Sequence, residues 1–157
     1  MLFFDYSITT LELPGETCLT FFITECQNRC ADCHSPELWQ PVGTKLNECF
    51  NPLIQLYRKK ISGVCFLGES KNTAKEHAEF ADLCQTARAF GLKTCFYSGR
   101  DCQIENWMFC FDFVKIGSYK KEYGPIIERM TNQRMYKISN GHYSDVTKLF
   151  WHEQNQF

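Results

Sequence analysis

The sequence predicts an α/β fold, an incomplete and open (β/α) barrel with mainly parallel strands. Three observations lead there. Short apolar runs rich in β-branched and aromatic residues alternate with segments of helical periodicity. The connections between them are short, which favours right-handed strand–helix–strand units and hence parallel pairing. A closed barrel takes roughly 250 residues, and this chain has 157.

Leu2 to Leu11 reads as the first strand, and Pro14-Gly15 as a turn. Thr17 to Thr24 is a short, bounded apolar run, as a buried strand would be. Leu46 to Lys60 puts Leu46, Phe50, Leu53, Ile54 and Tyr57 at helical spacing, with Pro52 expected to limit or bend that helix. Ser62-Gly63 ends it. Val64 to Leu67 predicts a buried strand that runs into Gly68-Glu69-Ser70. Thr73 to Phe90 is the clearest helix. Thr73 serves as its cap, Glu76 stands at the capping-box position and Gly91 follows as the C′ glycine. Leu92 to Tyr97 is the next strand, ending at Ser98-Gly99-Arg100. Asp101 to Met108 reads as a short helix and Phe109 to Ile116 as a strand, with Asp112 out of keeping inside it. Gln133 to Ile138 is the last strand. Polar residues dominate after Phe150, and that tail is expected to be loose. One domain is expected over 1–157, with its core at about 3–138.

A chain of this length buries about 70% of its unfolded surface, and 14 phenylalanines supply the core. Charge is balanced, with 17 basic against 18 acidic residues. That leaves no electrostatic footprint for nucleic acid and no polybasic arm for a membrane. No apolar run approaches the roughly 20 residues of a membrane span. Met1-Leu2-Phe3-Phe4-Asp5 lacks the basic start of a signal peptide. A cytoplasmic location is therefore expected, where disulfides are rare.

The chemistry concentrates at Cys26-Gln27-Asn28-Arg29-Cys30-Ala31-Asp32-Cys33-His34, on a loop directly after the second strand. Thiolates are soft ligands that select zinc, copper(I) or iron–sulfur clusters. Structural zinc and cubane clusters each want four protein ligands. Three cysteines at C-x3-C-x2-C, with Cys49 the next one, suggest a centre with one corner open to a substrate or cofactor. Two plainer readings stand beside this. With ten cysteines in the chain, the spacing can arise by accident. His34 can complete a Cys3His zinc site, although adjacent residues such as Cys33 and His34 rarely point at one ion. Cys18, Cys49, Cys65, Cys84, Cys95, Cys102 and Cys110 read as small buried hydrophobes.

The triplet Cys26-x3-Cys30-x2-Cys33 resembles the cluster motif of the radical S-adenosylmethionine (SAM) enzymes. Cys33-His34-Ser35-Pro36-Glu37-Leu38-Trp39 is similar to the segment after the cluster in the activating proteins of anaerobic ribonucleoside-triphosphate reductase. Leu13-Pro14-Gly15-Glu16 stands where the family has an acidic-Gly-Pro-Gly turn. Thr131-Asn132-Gln133-Arg134-Met135-Tyr136-Lys137-Ile138 resembles the branch's closing segment. The likeness runs from about Phe3 to Ile138.

The resemblance implies a barrel of the radical SAM type. It implies that Cys26, Cys30 and Cys33 hold three irons of a [4Fe-4S] cluster and that SAM chelates the fourth. Reductive cleavage of SAM would then give methionine and a 5′-deoxyadenosyl radical, which takes hydrogen from a glycine of the reductase. Gly68-Glu69-Ser70 occupies the place of the family's Gly-Gly-Glu-Pro, which holds the SAM amino group. Leu67 and Ser70 depart from that pattern, and a plain strand-to-helix turn is the alternative. The backbone at Asp32 would meet the adenine. His34 would pack on or hydrogen-bond SAM, or else lie at the surface. Ser98 would meet the SAM carboxylate or ribose, or else face solvent in its turn. Asn132-Gln133-Arg134 would line the site or fix the last strand. Arg29 and Lys45 are candidates for a basic rim that receives a flavodoxin- or ferredoxin-type reductant, against the default of solvated surface charge. Three alternatives remain: an activase of another glycyl radical enzyme, a zinc or electron-transfer module without SAM chemistry, and a homologue that has lost SAM binding.

Overall fold

Side chains alternate across a strand, so a strand packed on both faces must be apolar at every position. Four stretches of this chain come close to that demand, with Thr20, Thr94 and Lys115 as buried polar exceptions, and they form the centre of its sheet. The computed structural model describes residues 1–151; the tail expected to be loose lies, from residue 152 on, outside the described residues. The strands are β1 (Leu2–Thr9), β2 (Cys18–Ile23), β3 (Thr44–Lys45), β4 (Gly63–Leu67), β5 (Lys93–Tyr97), β6 (Phe113–Ile116), β7 (Arg134–Ser139) and β8 (His142–Asp145). They join one sheet in the order β3-β1-β2-β4-β5-β6-β7-β8. The two α-helices among the described residues are α1 (Leu46–Tyr57) and α2 (Ala74–Ala89).

One face of the sheet packs on both helices. Leu19, Phe21 and Ile23 of β2, Val64 and Phe66 of β4, Phe96 of β5 and Val114 of β6 form one cluster with Phe50 and Ile54 of α1 and Phe80, Leu83 and Ala87 of α2. The alternate residues Cys18, Cys65, Cys95, Phe113 and Met135 fill the other face. There Leu13, Ile126 and Phe150 cover them from connecting segments.

The helix termini follow local chemistry. Thr73 and Glu76 form a capping box at the start of α2. Gly91, just past its end, adopts a left-handed φ of +72°. Pro52 lies inside α1, which continues past it to Tyr57. Asp112 precedes β6 rather than interrupting it. Its carboxylate accepts from the Thr94 N–H at 2.8 Å and the Thr94 hydroxyl at 2.9 Å, which ties β6 to the start of β5.

The expected open (β/α) barrel with mainly parallel strands is not what forms. The sheet is mixed: β2·β4, β4·β5 and β5·β6 are parallel, while β1·β2, β1·β3, β6·β7 and β7·β8 are antiparallel. Only α1 and α2 lie between parallel strands. The β5–β6 crossover, where Asp101 to Met108 promised a helix, carries a 3₁₀ turn at Asn106–Cys110 instead. Two helices cannot surround a barrel. The physical reason lies at the sheet's two ends, where hairpins replace crossovers. At one end Asn140 (φ +52°) and Gly141 (φ +74°) join β7 to β8, with Ser139 opposite His142. Such a two-residue turn matches the strand twist and needs no helix.

Candidate functional site

Parallel strands align their C-terminal ends, so the segments that leave them meet at one edge. Here Cys26 follows β2, Gly68 follows β4, Ser98 and Gly99 follow β5, and Lys115 lies in the last turn of pleat of β6. All of them border one cavity of about 330 Å3, together with Cys30, Cys33, His34, Tyr119 and Gln133. The sequence places the triplet on a post-strand loop, and the structure puts all three cysteines on that cavity.

The loop is shaped by backbone more than by packing. Glu25 (φ +62°) and Arg29 (φ +45°) adopt left-handed conformations on either side of Cys26. The Cys26 N–H donates to Leu38 O at 3.0 Å, and the Cys33 N–H donates to Cys30 O at 3.1 Å. The Cys30 thiol approaches Gly99 O at 3.4 Å. The three cysteines are free and half-buried. Burial pushes the Cys26 and Cys30 thiols up, and the neighbouring Cys33 adds to this in both cases. No group of three or more His, Cys, Asp or Glu among the described residues is already gathered around one metal position. In donor type and placement the triplet nonetheless fits a thiolate-ligated centre, since three soft ligands from one loop face a single cavity.

Gly68 is where glycine is indispensable. Its φ is +107°, and a Cβ there would stand 2.9 Å from Ile23 O. Glu69 and Ser70 do not border the cavity. Glu69 is only 1% exposed, and its carboxylate is already engaged. It accepts from Asn28 Nδ2 at 2.8 Å and from Arg100 Nε at 2.8 Å. Arg100 also holds Glu105 at 2.7 and 3.0 Å, and Trp107 Nε1 donates to the same carboxylate at 2.6 Å. Arg100 keeps Glu105 down at about 2. The chain Asn28–Glu69–Arg100–Glu105–Trp107 thus anchors the cysteine loop to the segment after β5. Ser70 is buried at φ +55°, and its hydroxyl has no partner among the described residues.

Ser98 is fully buried rather than facing solvent, and its hydroxyl accepts from the Arg100 N–H at 3.1 Å. The His34 ring lies 3.9 Å from that of Tyr119, at the cavity wall. Asp32 is outside this cavity; it borders an adjoining polar cleft and accepts from the Lys121 N–H at 3.2 Å. The closing triplet divides its labour. Gln133 lines the cavity and donates to Gly117 O at 3.3 Å. Asn132 donates to Ser118 O at 2.9 Å, and Arg134 donates to Thr131 O at 2.7 Å. Arg29 lies over the Trp39 ring at 5.4 Å, whereas Lys45 is on β3 with Glu48 at 3.4 Å. Arg29 borders the cavity and Lys45 does not, so the two do not form the single basic rim expected from the sequence.

Sequence reasoning missed Lys115, Tyr97 and Tyr119. Lys115 is buried on the cavity side of β6, donates to Gly117 O at 3.1 Å and lies 5.2 Å from the Tyr97 ring centroid. Burial depresses it to about 8. A charged residue within the apolar run Phe113–Ile116 was the signal that could have found it. No family model, no curated protein and no solved structure matches this chain.

Proposed function

We propose that Cys26, Cys30 and Cys33 hold a [4Fe-4S] cluster and that the chain is a SAM-dependent activase of a glycyl radical enzyme, with anaerobic ribonucleoside-triphosphate reductase as the partner. One observation carries this reading: three thiols from one loop share a cavity with Gly68, Ser98 and Gly99 at the C-terminal edge of the parallel strands. Cys26, Cys30 and Cys33 would hold the cluster, which when bound would supply the single electron for reductive cleavage of SAM.

The chain's own residues bind, orient and exclude water. Cys26, Cys30 and Cys33 are free and half-buried on one cavity, where their thiols would be the ligands. Gly68 and Gly99 keep the strand ends free of side-chain bulk. Phe22, Leu38, Trp39 and Ile126 give the cavity an apolar wall. His34 and Gln133 are polar side chains of the cavity wall that meet the cofactor, with Ser98 fully buried in the same wall. A flavodoxin- or ferredoxin-type protein is the reductant in this reading, and the cytoplasm, where thiols stay reduced, is the place of work. No helix among the described residues is long and apolar enough to cross a membrane.

The test is SAM cleavage. Protein reconstituted anaerobically with iron and sulfide, then given dithionite and SAM, is expected to form 5′-deoxyadenosine. Intact SAM beside an assembled cluster, with the reductase present, would rule the activase reading out. A second reading rests on Glu69, whose commitment to Asn28 and Arg100 leaves it unable to receive an amino group in this arrangement. It makes the chain a thiolate-ligated metal or electron-transfer module, and that same outcome is the one it predicts.

A further inference from the structure

Lys115 is 7% exposed, yet it makes no ion pair with a carboxylate among the described residues. One N–H reaches Gly117 O, and the ammonium lies against the Tyr97 ring. Burying an unpaired cation is costly, and exchange for an apolar residue of like volume is commonly neutral or stabilising. The charge is therefore a burden on the fold unless a negative group comes to face it. Cys26, Cys30 and Cys33 line the same cavity. Three thiolates around a divalent ion or a [4Fe-4S] cluster leave a net negative charge inside a low-dielectric pocket, and reduction deepens it.

We infer that Lys115 is the positioning cation of the three-cysteine centre, offsetting the charge of its thiolates and favouring its reduced form; this rests on the reading that the triplet holds a metal. Its ammonium strengthens metal binding without being a ligand. It also raises the potential of a bound cluster, because the reduced state gains more from a nearby positive charge.

The experiment is an anaerobic cobalt(II) titration of the full chain at one fixed pH and ionic strength, read by thiolate-to-cobalt absorption. Lys115→Met is expected to bind cobalt at least five-fold more weakly than wild type, with Lys115→Gln behaving alike in case the methionine repacks. Lys115→Arg is expected to recover binding. The denaturation midpoint of the metal-free Lys115→Met protein should be no lower than that of wild type, which separates a charge effect from lost structure. In cluster-reconstituted protein the midpoint potential is expected to fall in Lys115→Met. A loss smaller than five-fold in both neutral variants, or Lys115→Arg binding no better than Lys115→Met, overturns the inference alone. If wild type itself binds no cobalt through thiolates, the three-cysteine reading and this inference fall together.

Discussion

Gly68 shows how narrowly a single residue can be constrained at this site. Its left-handed φ and its approach to Ile23 O mean that Gly68→Ala must shift β2 or β4. A cost of about 2 kcal/mol is expected, read as a lower denaturant midpoint. Arg100 is constrained by charge instead. Removing it in Arg100→Met leaves Glu69 buried with Asn28 as its remaining partner. Breaking such a pair costs about 3–5 kcal/mol, so this variant should unfold well before wild type in guanidinium; an unchanged midpoint would mean that the Glu69–Arg100 pair does not stabilise the fold. Cysteines separate by position. Cys30→Ala should abolish cluster assembly, whereas Cys65→Ala should keep full iron content, because Cys65 lies in the core of the sheet's other face. The placing of the three cysteines on one loop was legible because their C-x3-C-x2-C spacing is local. The engagement of Glu69 was not, because Asn28 and Arg100 reach it from 41 and 31 residues away.

At the scale of elements, the sequence was most readable where one local signal decides. The capping box at Thr73 and Glu76 and the glycine at Gly91 bound α2 on both sides. The apolar runs found β1, β2, β4 and β5 to within a residue or two at most ends. Strand β8 escaped because all four of its residues are exposed and so show no alternation. Its signal was the turn: Asn140-Gly141 before a polar run is a two-residue hairpin loop. Gly141→Val should strain that loop, where φ is +74°. About 1 kcal/mol of lost stability is expected, with faster amide exchange at 142–145 and unchanged cobalt affinity at the cysteine loop. The short helix expected over Asp101 to Met108 failed for another reason. Arg100, Glu105 and Trp107 bind one another there, and that network holds an irregular turn.

Across the whole molecule, the misjudged property was topology. Alternating strands and helices implied a barrel, but α1 and α2 account for just two crossovers, and antiparallel pairs close both ends of the sheet. The parallel centre alone, β2-β4-β5-β6, suffices to align the loops that border the cavity. Lys115, at the edge of that centre, couples the whole fold to pH. Burial depresses it from 10.5 to about 8. The folded metal-free protein therefore gives up this proton before the unfolded chain does, and between those values stability rises with pH. Relative to Lys115→Met, wild type should gain stability from about pH 8 to 10.5, on the order of 3 kcal/mol; a constant difference across that range would contradict a buried ammonium.

The measurement that bears most directly on the central claim is the iron and acid-labile sulfide content of anaerobically reconstituted protein, beside Cys26→Ala, Cys30→Ala and Cys33→Ala. The account predicts about four of each per wild-type chain, as a cubane cluster requires, and loss of the cluster in every variant. Zinc without labile sulfide in wild type, or full iron content in any of the three variants, would contradict it.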